Sequence, residues 1–496
     1  MYGTRPTRPV QQVPVSTRPV RWAAGPLPWL TAVALLFAAV QLAFVVPGSG
    51  LSWDETVYVS QVGGNAPAAY FSAPRARGIS YLVAPVAALT TSTTAVRTYL
   101  ALLSAAALFG ALRIWRTVLP TPVLAGAGAL FAALWPTLFY GPAAMPNLWC
   151  ALGSLAATGW TVRTLRGASR PAETTGAASA VALVALMRPA DGFWLALPLM
   201  FAAVLVPGRR RPGLGAALAG GLVVGCAPWT AEAFAHYGGP VARFHRAGEI
   251  QGGLGWNFAV DDHLRALAGR TLCRPCDIGW ESPATAVWWV ALPLLTTGGI
   301  VAARRAGRGP VALLATATGV STAVPYLFLV EYAAPRFLLP AYALLAVPVA
   351  EYLTHLFARR RVGTVVPALL LAAHLGVQFS ALSHVIRTSH ATGARFAAVA
   401  GALNGMGVRA PCVVSGDDAV PIAYYAGCAS RQTGGHDASI TPEALRDLAR
   451  HVPVAVLVTG GAAPPVTRGS HVVPLPKGRA HLLPGPAVDR ARGGPL

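Results

Sequence analysis

Charged residues are scarce in this chain: Asp, Glu, Lys and Arg together make up 11% of its 496 residues, and only 18 residues are acidic. This scarcity, together with 54% hydrophobic residues, excludes an ordinary soluble globular protein. Lysine is almost missing, with Lys477 as the single instance, so the net charge of +21 comes from arginine. Apolar runs recur from residue 27 to about residue 382. The composition therefore indicates a polytopic membrane protein, and the arginine excess does not indicate nucleic-acid binding.

The first 22 residues lack both an apolar core and a cleavage site, which excludes a secretory signal peptide. They are rich in proline and contain Arg5, Arg8, Arg18 and Arg21. Low hydrophobicity with an excess of one charge is typical of disorder. We therefore predict a disordered basic cytoplasmic tail over residues 1–22.

Eleven apolar segments have the length and composition expected of membrane-spanning helices, at residues 27–46, 96–114, 121–139, 147–164, 176–188, 190–207, 213–232, 284–303, 310–329, 337–356 and 363–382. If the N-terminus is cytoplasmic and successive spans cross the membrane in alternating directions, the six short cytoplasmic segments hold eighteen arginines and one acid, Glu173. This distribution obeys the positive-inside rule. It predicts a transmembrane domain over residues 23–382 of a plasma-membrane protein, with a cytoplasmic N-terminus and an extracytoplasmic C-terminus.

Three pieces of the chain then lie on the outer face: the loops at residues 47–95 and 233–283 and the tail at residues 383–496. An apolar stretch at residues 78–89 is too short to cross a bilayer, so we predict an interfacial or re-entrant segment there within the first loop.

The tail alternates strand-like stretches, at residues 412–415 and 454–458, with helix-like stretches, at residues 418–426 and 441–450. Such alternation predicts a small extracytoplasmic α/β domain with a parallel sheet. The sequence Thr441-Pro442 is typical of a helix start, with threonine as the N-cap and proline in the first turn.

Cysteine is also rare, with six residues, of which four fall in predicted outer segments where disulfides are permitted. We predict a disulfide between Cys412 and Cys428. For Cys273 and Cys276 a structural disulfide, zinc binding and redox chemistry all remain open. The sequence offers no second pair of ligands at metal-binding spacing.

The rarity of acids makes one pair conspicuous, in the sequence Trp53-Asp54-Glu55-Thr-Val-Tyr58. The pair follows the first predicted span and so lies where the chain leaves the membrane. A carboxylate at a lipid–water boundary can act as a general base or a metal ligand for a substrate held in the lipid. This pair is therefore our first candidate for a catalytic site.

The order of four motifs resembles the GT-C superfamily of polytopic glycosyltransferases, which includes protein O-mannosyltransferases and lipid A aminoarabinose transferases. The resemblance covers roughly residues 27–382. The motifs are the acidic pair Asp54-Glu55, the loop sequence Ser72-Ala-Pro-Arg-Ala-Arg-Gly-Ile-Ser-Tyr81, the span start Ala95-Val-Arg97-Thr-Tyr-Leu, and the late segment Glu331-Tyr-Ala-Ala-Pro-Arg336-Phe-Leu-Leu-Pro-Ala-Tyr342.

The resemblance implies transfer of a sugar from a polyprenyl-phosphate-linked donor to an acceptor, with inversion, on the outer face. It implies that Asp54 is the catalytic base and that Glu55 supports it or holds a metal. Such a reaction also needs positive charge on the departing phosphate. The candidate substrate-binding residues are Arg336, Arg77, Arg97, Arg188, Tyr58 and Asn147.

One position departs from the family pattern. Many relatives carry a second acid at the start of the fourth span, where this chain has Asn147. An amide cannot act as a base and is a poorer metal ligand than a carboxylate. The cofactor is therefore left open, with a divalent cation at Asp54 and Glu55 as one alternative and a metal-independent site as the other.

Structural roles and other functions also remain open. Arg336 has Glu331 as an alternative partner to a donor phosphate, and Arg188 has Asp191. Two further functional hypotheses are a polytopic transporter or lipid flippase and a non-catalytic protein that retains the GT-C fold. A transporter would more often carry charges at mid-span and show two matching halves, neither of which dominates this sequence.

Overall fold

The computed structural model describes residues 25–167, 170–206, 210–253, 255–277, 279–358 and 365–485. The basic tail predicted over residues 1–22 lies outside the described residues. Within these ranges the chain is mainly helical, and its α-helices are α1 (Pro26–Val40), α2 (Trp53–Ser60), α3 (Gly78–Ala87), α4 (Thr93–Ile114), α5 (Thr121–Ala132), α6 (Trp135–Tyr140), α7 (Pro146–Arg166), α8 (Pro171–Met187), α9 (Pro189–Leu205), α10 (Pro212–His236), α11 (Pro240–Ile250), α12 (Val260–Ala266), α13 (Val287–Arg305), α14 (Gly309–Phe328), α15 (Leu339–Ala358), α16 (Val365–Gly405), α17 (Ala419–Ala426) and α18 (Pro442–Leu448).

Seven of the predicted spans coincide with helical segments that are long and apolar enough to cross a membrane, which are Pro26–Val45, Thr93–Thr117, Pro212–His236, Pro283–Arg305, Gly309–Phe328, Pro335–Ala358 and Val365–Gly405. The other four predicted spans coincide with α5 together with α6, and with α7, α8 and α9. The polytopic helical architecture is therefore confirmed, while the count of eleven crossings stays a prediction. The stretch predicted to lie at the interface forms the short helix α3.

Local sequence sets where the helices begin and end. Proline occupies the first turn of α7, α8, α9 and α10, where its missing N–H costs nothing and its fixed φ suits a helix. Arg163 and Arg166 lie in the last turn of α7, where a cation complements the helix dipole. Arg163 also forms an ion pair of 2.8 Å with Glu173 at the start of α8, which fastens this helical hairpin.

Small residues allow the helices to approach closely. Gly221 and Gly225 of α10 face the backbone of α8, and a Cβ at either position would overlap the carbonyl oxygens of Ala178 and Ala182. Without a hydrophobic driving force between helices in lipid, such close backbone contact contributes much of the packing energy.

The C-terminal part forms the predicted α/β domain around a five-stranded sheet with the order β2-β1-β3-β5-β4. Its strands are β1 (Val413–Gly416), β2 (Ala429–Ser430), β3 (Val454–Val458), β4 (His471–Pro474) and β5 (Arg479–Leu482). The pairs that β1 makes with β2 and β3 are parallel, as predicted. The pairs of β5 with β3 and β4 are antiparallel, so the sheet is mixed. Thr441 caps α18 by accepting a hydrogen bond from the N–H of Ala444, as its sequence predicts.

The last apolar helix is longer than the span predicted at residues 363–382. Helix α16 has 41 residues and continues to Gly405 without a break. At 1.5 Å per residue it is roughly 60 Å long, about twice the thickness of a bilayer core. The boundary predicted at residue 383 therefore falls inside a continuous helix, which carries the α/β domain.

Both cysteine pairs of the outer segments are joined. Disulfides link Cys412 with Cys428, as predicted, and Cys273 with Cys276. Of the three alternatives left open for Cys273 and Cys276, the structure therefore contains the disulfide. The remaining two cysteines are free thiols, and they lie in helices α7 and α10.

We expect protein isolated without reductant and then denatured to react with a maleimide at two of its six cysteines, Cys150 and Cys226. After reduction all six should react. Intact-mass spectrometry of the labelled protein counts the adducts directly. Three or more adducts before reduction would contradict at least one of the two bridges.

Candidate active site

Helix α2 presents the acidic pair just beyond the first span. Ser52 precedes the helix and forms a capping box with Glu55, whose Oε2 accepts a hydrogen bond of 2.9 Å from the N–H of Ser52. Both acids lie in the first turn, where the positive end of the helix dipole favours negative charge. The two side chains nevertheless have different surroundings.

Glu55 is buried and fully engaged with the protein. Its Oε2 also pairs with Nη2 of Arg97 at 2.9 Å, and its Oε1 accepts from the N–H of Ala144 at 2.9 Å. Arg97 donates further to the carbonyl oxygens of Gly50 and Pro142. The ion pair of Glu55 and Arg97, two residues predicted to take part in the reaction or in substrate binding, thus ties the start of α2 to α4 and to the turn before α7. Neither side chain lines the cavity that Asp54 faces.

Asp54 faces a cavity, and its side chain is 35% exposed. Its Oδ1 pairs with Nη2 of Arg75 at 2.9 Å and its Oδ2 with Nη2 of Arg336 at 3.3 Å. Burial acts to raise the pKa of Asp54, but the attraction of Arg75 and Arg336 outweighs it and holds the pKa below its usual range. The carboxyl group is therefore ionised at neutral pH and can accept a proton or a hydrogen bond.

Arg336 lies in a single 3-10 turn, Pro335–Leu338, at the start of α15. Its Nη1 donates to the carbonyl oxygen of Thr271 at 2.6 Å and to the hydroxyl of Tyr140 at 3.4 Å. Its Nε is buried and has no hydrogen-bond partner among the described residues. The acid that pairs with Arg336 is Asp54, and the described ion pairs do not include the alternative partner Glu331.

The cavity in front of Asp54 has a volume of about 420 Å³ and is open at the surface of the molecule. Met145, Met187 and Phe337 form an apolar wall at the ends of helices. The charged and polar lining comprises Asp54, Tyr58, Ser72, Arg75, Asn147, Arg188, Gln251, Arg274, Tyr332, Arg336, Gln432, His436 and Asp437. The predicted substrate-binding residues Tyr58, Asn147 and Arg188 therefore line the same cavity as Asp54 and Arg336.

Three of these predicted residues offer groups for a polar ligand. Burial raises the pKa of Tyr58 to about 12, so its hydroxyl stays protonated and can donate a hydrogen bond. The amide nitrogen of Asn147 is buried without a partner in the described part of the chain. Arg188 lies over the rings of Tyr326 and Phe337 and is 3.9 Å from Asp191, a loose pairing.

Arg77 does not line the cavity. Its guanidinium donates to Glu232 and to Gln61 and lies 4.1 Å from the ring centre of Phe71. The neighbouring arginine of the same motif, Arg75, lines the cavity and pairs with Asp54 instead.

Two contributors to the site were missed in the sequence. Arg75 was visible in the motif Arg75-Ala-Arg77, but nothing local distinguishes the two arginines. Asp437 belongs to the α/β domain and pairs with Nη1 of Arg75 at 3.0 Å. The only local signal for it is the pair of glycines that precedes His436-Asp437.

A further arginine holds the loop that carries Arg75. Arg243 is fully buried and donates to the carbonyl oxygens of Ala73, Trp229 and Arg75 at 3.1, 2.7 and 2.9 Å. It also pairs with Glu232 at 2.8 Å. The second outer loop thereby fixes the backbone of the first loop next to Asp54.

These residues do not fit a divalent cation. The oxygens of Asp54 each pair with an arginine, and those of Glu55 are occupied by Ser52, Arg97 and Ala144. The described residues contain no group of three His, Cys, Asp or Glu side chains that could hold a metal ion. Arginine charges around one carboxylate favour an anion over a cation.

Comparison with known proteins gives structural but no sequence relatives. A scan against protein-family models and a search of curated proteins find no match. Among solved structures, ArnT from Cupriavidus metallidurans bound to undecaprenyl phosphate superposes with a TM-score of 0.64 at 14% identity, over 91% of this chain and 97% of that one. Its apo form superposes with the same TM-score at 12% identity, over 91% and 96% of the two chains.

A second kind of structure is similar over less of its length. The archaeal oligosaccharyltransferase AglB from Archaeoglobus fulgidus, in complex with an inhibitory peptide and a dolichol-phosphate, has a TM-score of 0.51 at 15% identity. The match covers 81% of this chain and 64% of AglB. The chain therefore has a polytopic fold similar to those of ArnT and AglB, which agrees with the architecture that the GT-C resemblance implied.

Proposed function

We propose that this protein is an inverting glycosyltransferase that transfers a sugar from a polyprenyl-phosphate-linked donor to an acceptor hydroxyl at the outer face of the plasma membrane. The observation that carries the proposal is the cavity at the ends of apolar helices, in which the partly exposed carboxylate of Asp54 pairs with Arg75 and Arg336. The fold supports it, because the similar structures include ArnT bound to undecaprenyl phosphate and AglB with a dolichol-phosphate.

In the proposed reaction the acceptor oxygen attacks the anomeric carbon of the donor sugar, and its proton passes to Asp54. The bond between that carbon and the phosphate oxygen breaks, and the phosphate leaves with the electron pair. Attack on the side opposite the phosphate inverts the anomeric centre. A carboxylate with a lowered pKa is a weak base, so its proton transfer belongs late in the reaction, when the attacking oxygen has become acidic.

The arginines supply the charge that the leaving group needs. Arg336 and Arg188 line the same cavity as Asp54, and a guanidinium matches two phosphate oxygens at once. The adjacent apolar wall of Met145, Met187 and Phe337 suits the first part of the lipid chain. Asn147 and Tyr58 are the proposed donors to sugar hydroxyls.

Glu55, Arg97 and Arg77 then have positioning roles. Their charges are neutralised within the protein, away from the cavity. They hold α2 and the first outer loop in place, so that Asp54 and Arg75 keep their orientation. Asp54 is the single carboxylate of the pair that we assign to the reaction.

The function can be assayed in cells before the acceptor is identified. Deleting the gene should change the mass of one glycosylated component of the cell envelope by one sugar residue, as read by mass spectrometry. The amount of that component then measures transfer by any variant expressed from a plasmid. An envelope without any such change would contradict the proposal.

Asp54→Asn should reduce transfer by roughly 100-fold or more, because the amide keeps the shape of the side chain but cannot take the proton. Its expression and melting temperature should stay close to those of the parent protein. Asp447→Asn is the matched control, since Asp447 is an exposed acid paired only with Arg450 in the described structure. Normal transfer by Asp54→Asn would remove Asp54 from the reaction.

Arg336→Ala should weaken binding of undecaprenyl phosphate to the purified protein by a factor on the order of 10 to 100, the cost of losing charge-assisted hydrogen bonds. Arg336→Lys should have a smaller effect, because an ammonium keeps the charge and loses the planar fork. Arg450→Ala, at an exposed position, is the control. Affinity is measured by thermophoresis in detergent. Unchanged affinity in Arg336→Ala would exclude it from the phosphate site.

The orientation follows from the arginines, which put the N-terminus inside and the α/β domain outside. Alkaline phosphatase fused after residue 485 should therefore be active, and green fluorescent protein fused there should be dark. The reverse pattern would place the cavity on the cytoplasmic side and overturn the proposed topology.

A further inference from the structure

The α/β domain contributes a well-defined loop to the cavity. The side-chain amide of Gln432 accepts from the N–H of Gly416 at 3.2 Å and donates to its carbonyl oxygen at 3.1 Å. The backbone of Gln432 donates to the hydroxyl of Ser439 and accepts from its N–H. These four hydrogen bonds close the base of the loop, residues 432–439, and attach it to the end of β1. The tip, with His436 and Asp437, lines the cavity.

Asp437 connects this loop to Arg75, the ion-pair partner of Asp54, and to Trp53, which precedes Asp54 in the sequence. Its Oδ1 pairs with Nη1 of Arg75 at 3.0 Å, and its Oδ2 accepts from the indole N–H of Trp53 at 2.9 Å. Trp53 precedes Asp54 in the chain, and Nη2 of Arg75 pairs with Asp54 itself at 2.9 Å. One guanidinium is thus shared between a carboxylate of the first outer loop and a carboxylate of the C-terminal domain.

The domain is held against the first outer loop by other contacts as well. The N–H of Leu51 donates to the hydroxyl of Tyr425 at 2.7 Å, and the amide of Asn65 donates to the carbonyl oxygen of Tyr424 at 2.6 Å. These contacts flank α2 on both sides in sequence. Docking of the domain therefore does not depend on Asp437 alone, so docking does not by itself account for the contacts of Asp437 with Arg75 and Trp53.

We propose that Asp437 is a positioning residue for the transfer reaction, which acts through Arg75 and Trp53 to hold Asp54 towards the acceptor. The inference rests on the proposed function. Arg75 and Arg336 together balance the charges of Asp54 and Asp437, and contact with two carboxylates fixes the plane of the Arg75 guanidinium. Without Asp437, Arg75 would keep Asp54 and the hydroxyl of Ser72 as partners and would gain one free N–H, which would attract the donor phosphate.

This role predicts that loss of the Asp437 carboxylate strengthens the binding of undecaprenyl phosphate and weakens transfer. Asp437→Asn removes one negative charge beside the cavity and leaves a side chain of the same shape. Affinity of the purified full-length protein for undecaprenyl phosphate should rise by a factor on the order of 3 to 10, because the phosphate meets a more positive site. Transfer in cells should fall by roughly tenfold or more, because Arg75 and Asp54 lose their fixed orientation.

The controls separate this role from simple destabilisation. Asp447→Asn removes the same charge from the same domain at an exposed position, so affinity and transfer should both stay at the parental level. Melting temperatures of the parent and both variants are measured in the same detergent. A purely structural role for Asp437 predicts a lower melting temperature and weaker binding.

Two outcomes of Asp437→Asn would overturn the inference: transfer at the parental level, or a loss of transfer accompanied by weaker undecaprenyl-phosphate binding. Failure of the proposed function has a different signature. In that case the parent protein would not bind undecaprenyl phosphate, or Arg336→Ala would bind it as well as the parent does.

Discussion

The site depends on the sharing of Arg75 between Asp54 and Asp437. A guanidinium or carboxylate near the boundary of a low-dielectric region is costly unless an opposite charge lies beside it. Here Arg75, Arg336, Asp54 and Asp437 form a chain of pairs with distances of 2.9 to 3.3 Å. Because the side chain of Asp54 is partly exposed, this chain of pairs is accessible from the cavity.

Around this chain lies a set of contacts that keeps it in place. Glu55 and Arg97 anchor the start of α2, and the buried Arg243 holds the backbone of the loop that carries Arg75. Each of these side chains is buried and bound to other parts of the protein, and none of them lines the cavity at Asp54. The division is physically reasonable, since a catalytic carboxylate must stay accessible while its supports must be rigid.

The architecture brings three regions of the chain to one point. The first outer loop supplies Asp54 and Arg75, the start of α15 supplies Arg336, and the α/β domain supplies Asp437. The long helix α16 carries that domain, and the contacts of Tyr424 and Tyr425 seat it against the first loop. The α/β domain thus forms part of the wall of the same cavity.

The sequence by itself determined the features that depend on local pattern. Apolar length predicted the spans, Thr441-Pro442 predicted the start of α18, and cysteine position predicted the Cys412–Cys428 bridge. The acidic pair marked the right place on the chain. Only the tertiary structure decided that Asp54 and not Glu55, and Arg75 and not Arg77, faces the cavity.

Successive residues on a helix diverge by about 100°, so Asp54 and Glu55 cannot face the same partner, and packing against α4 and α7 selects Glu55 for burial. The same holds for Arg75 and Arg77, whose roles are set by Asp437 and Glu232. Asp437 lies far from Asp54 in the sequence. Only the folded chain brings the two carboxylates together on the guanidinium of Arg75.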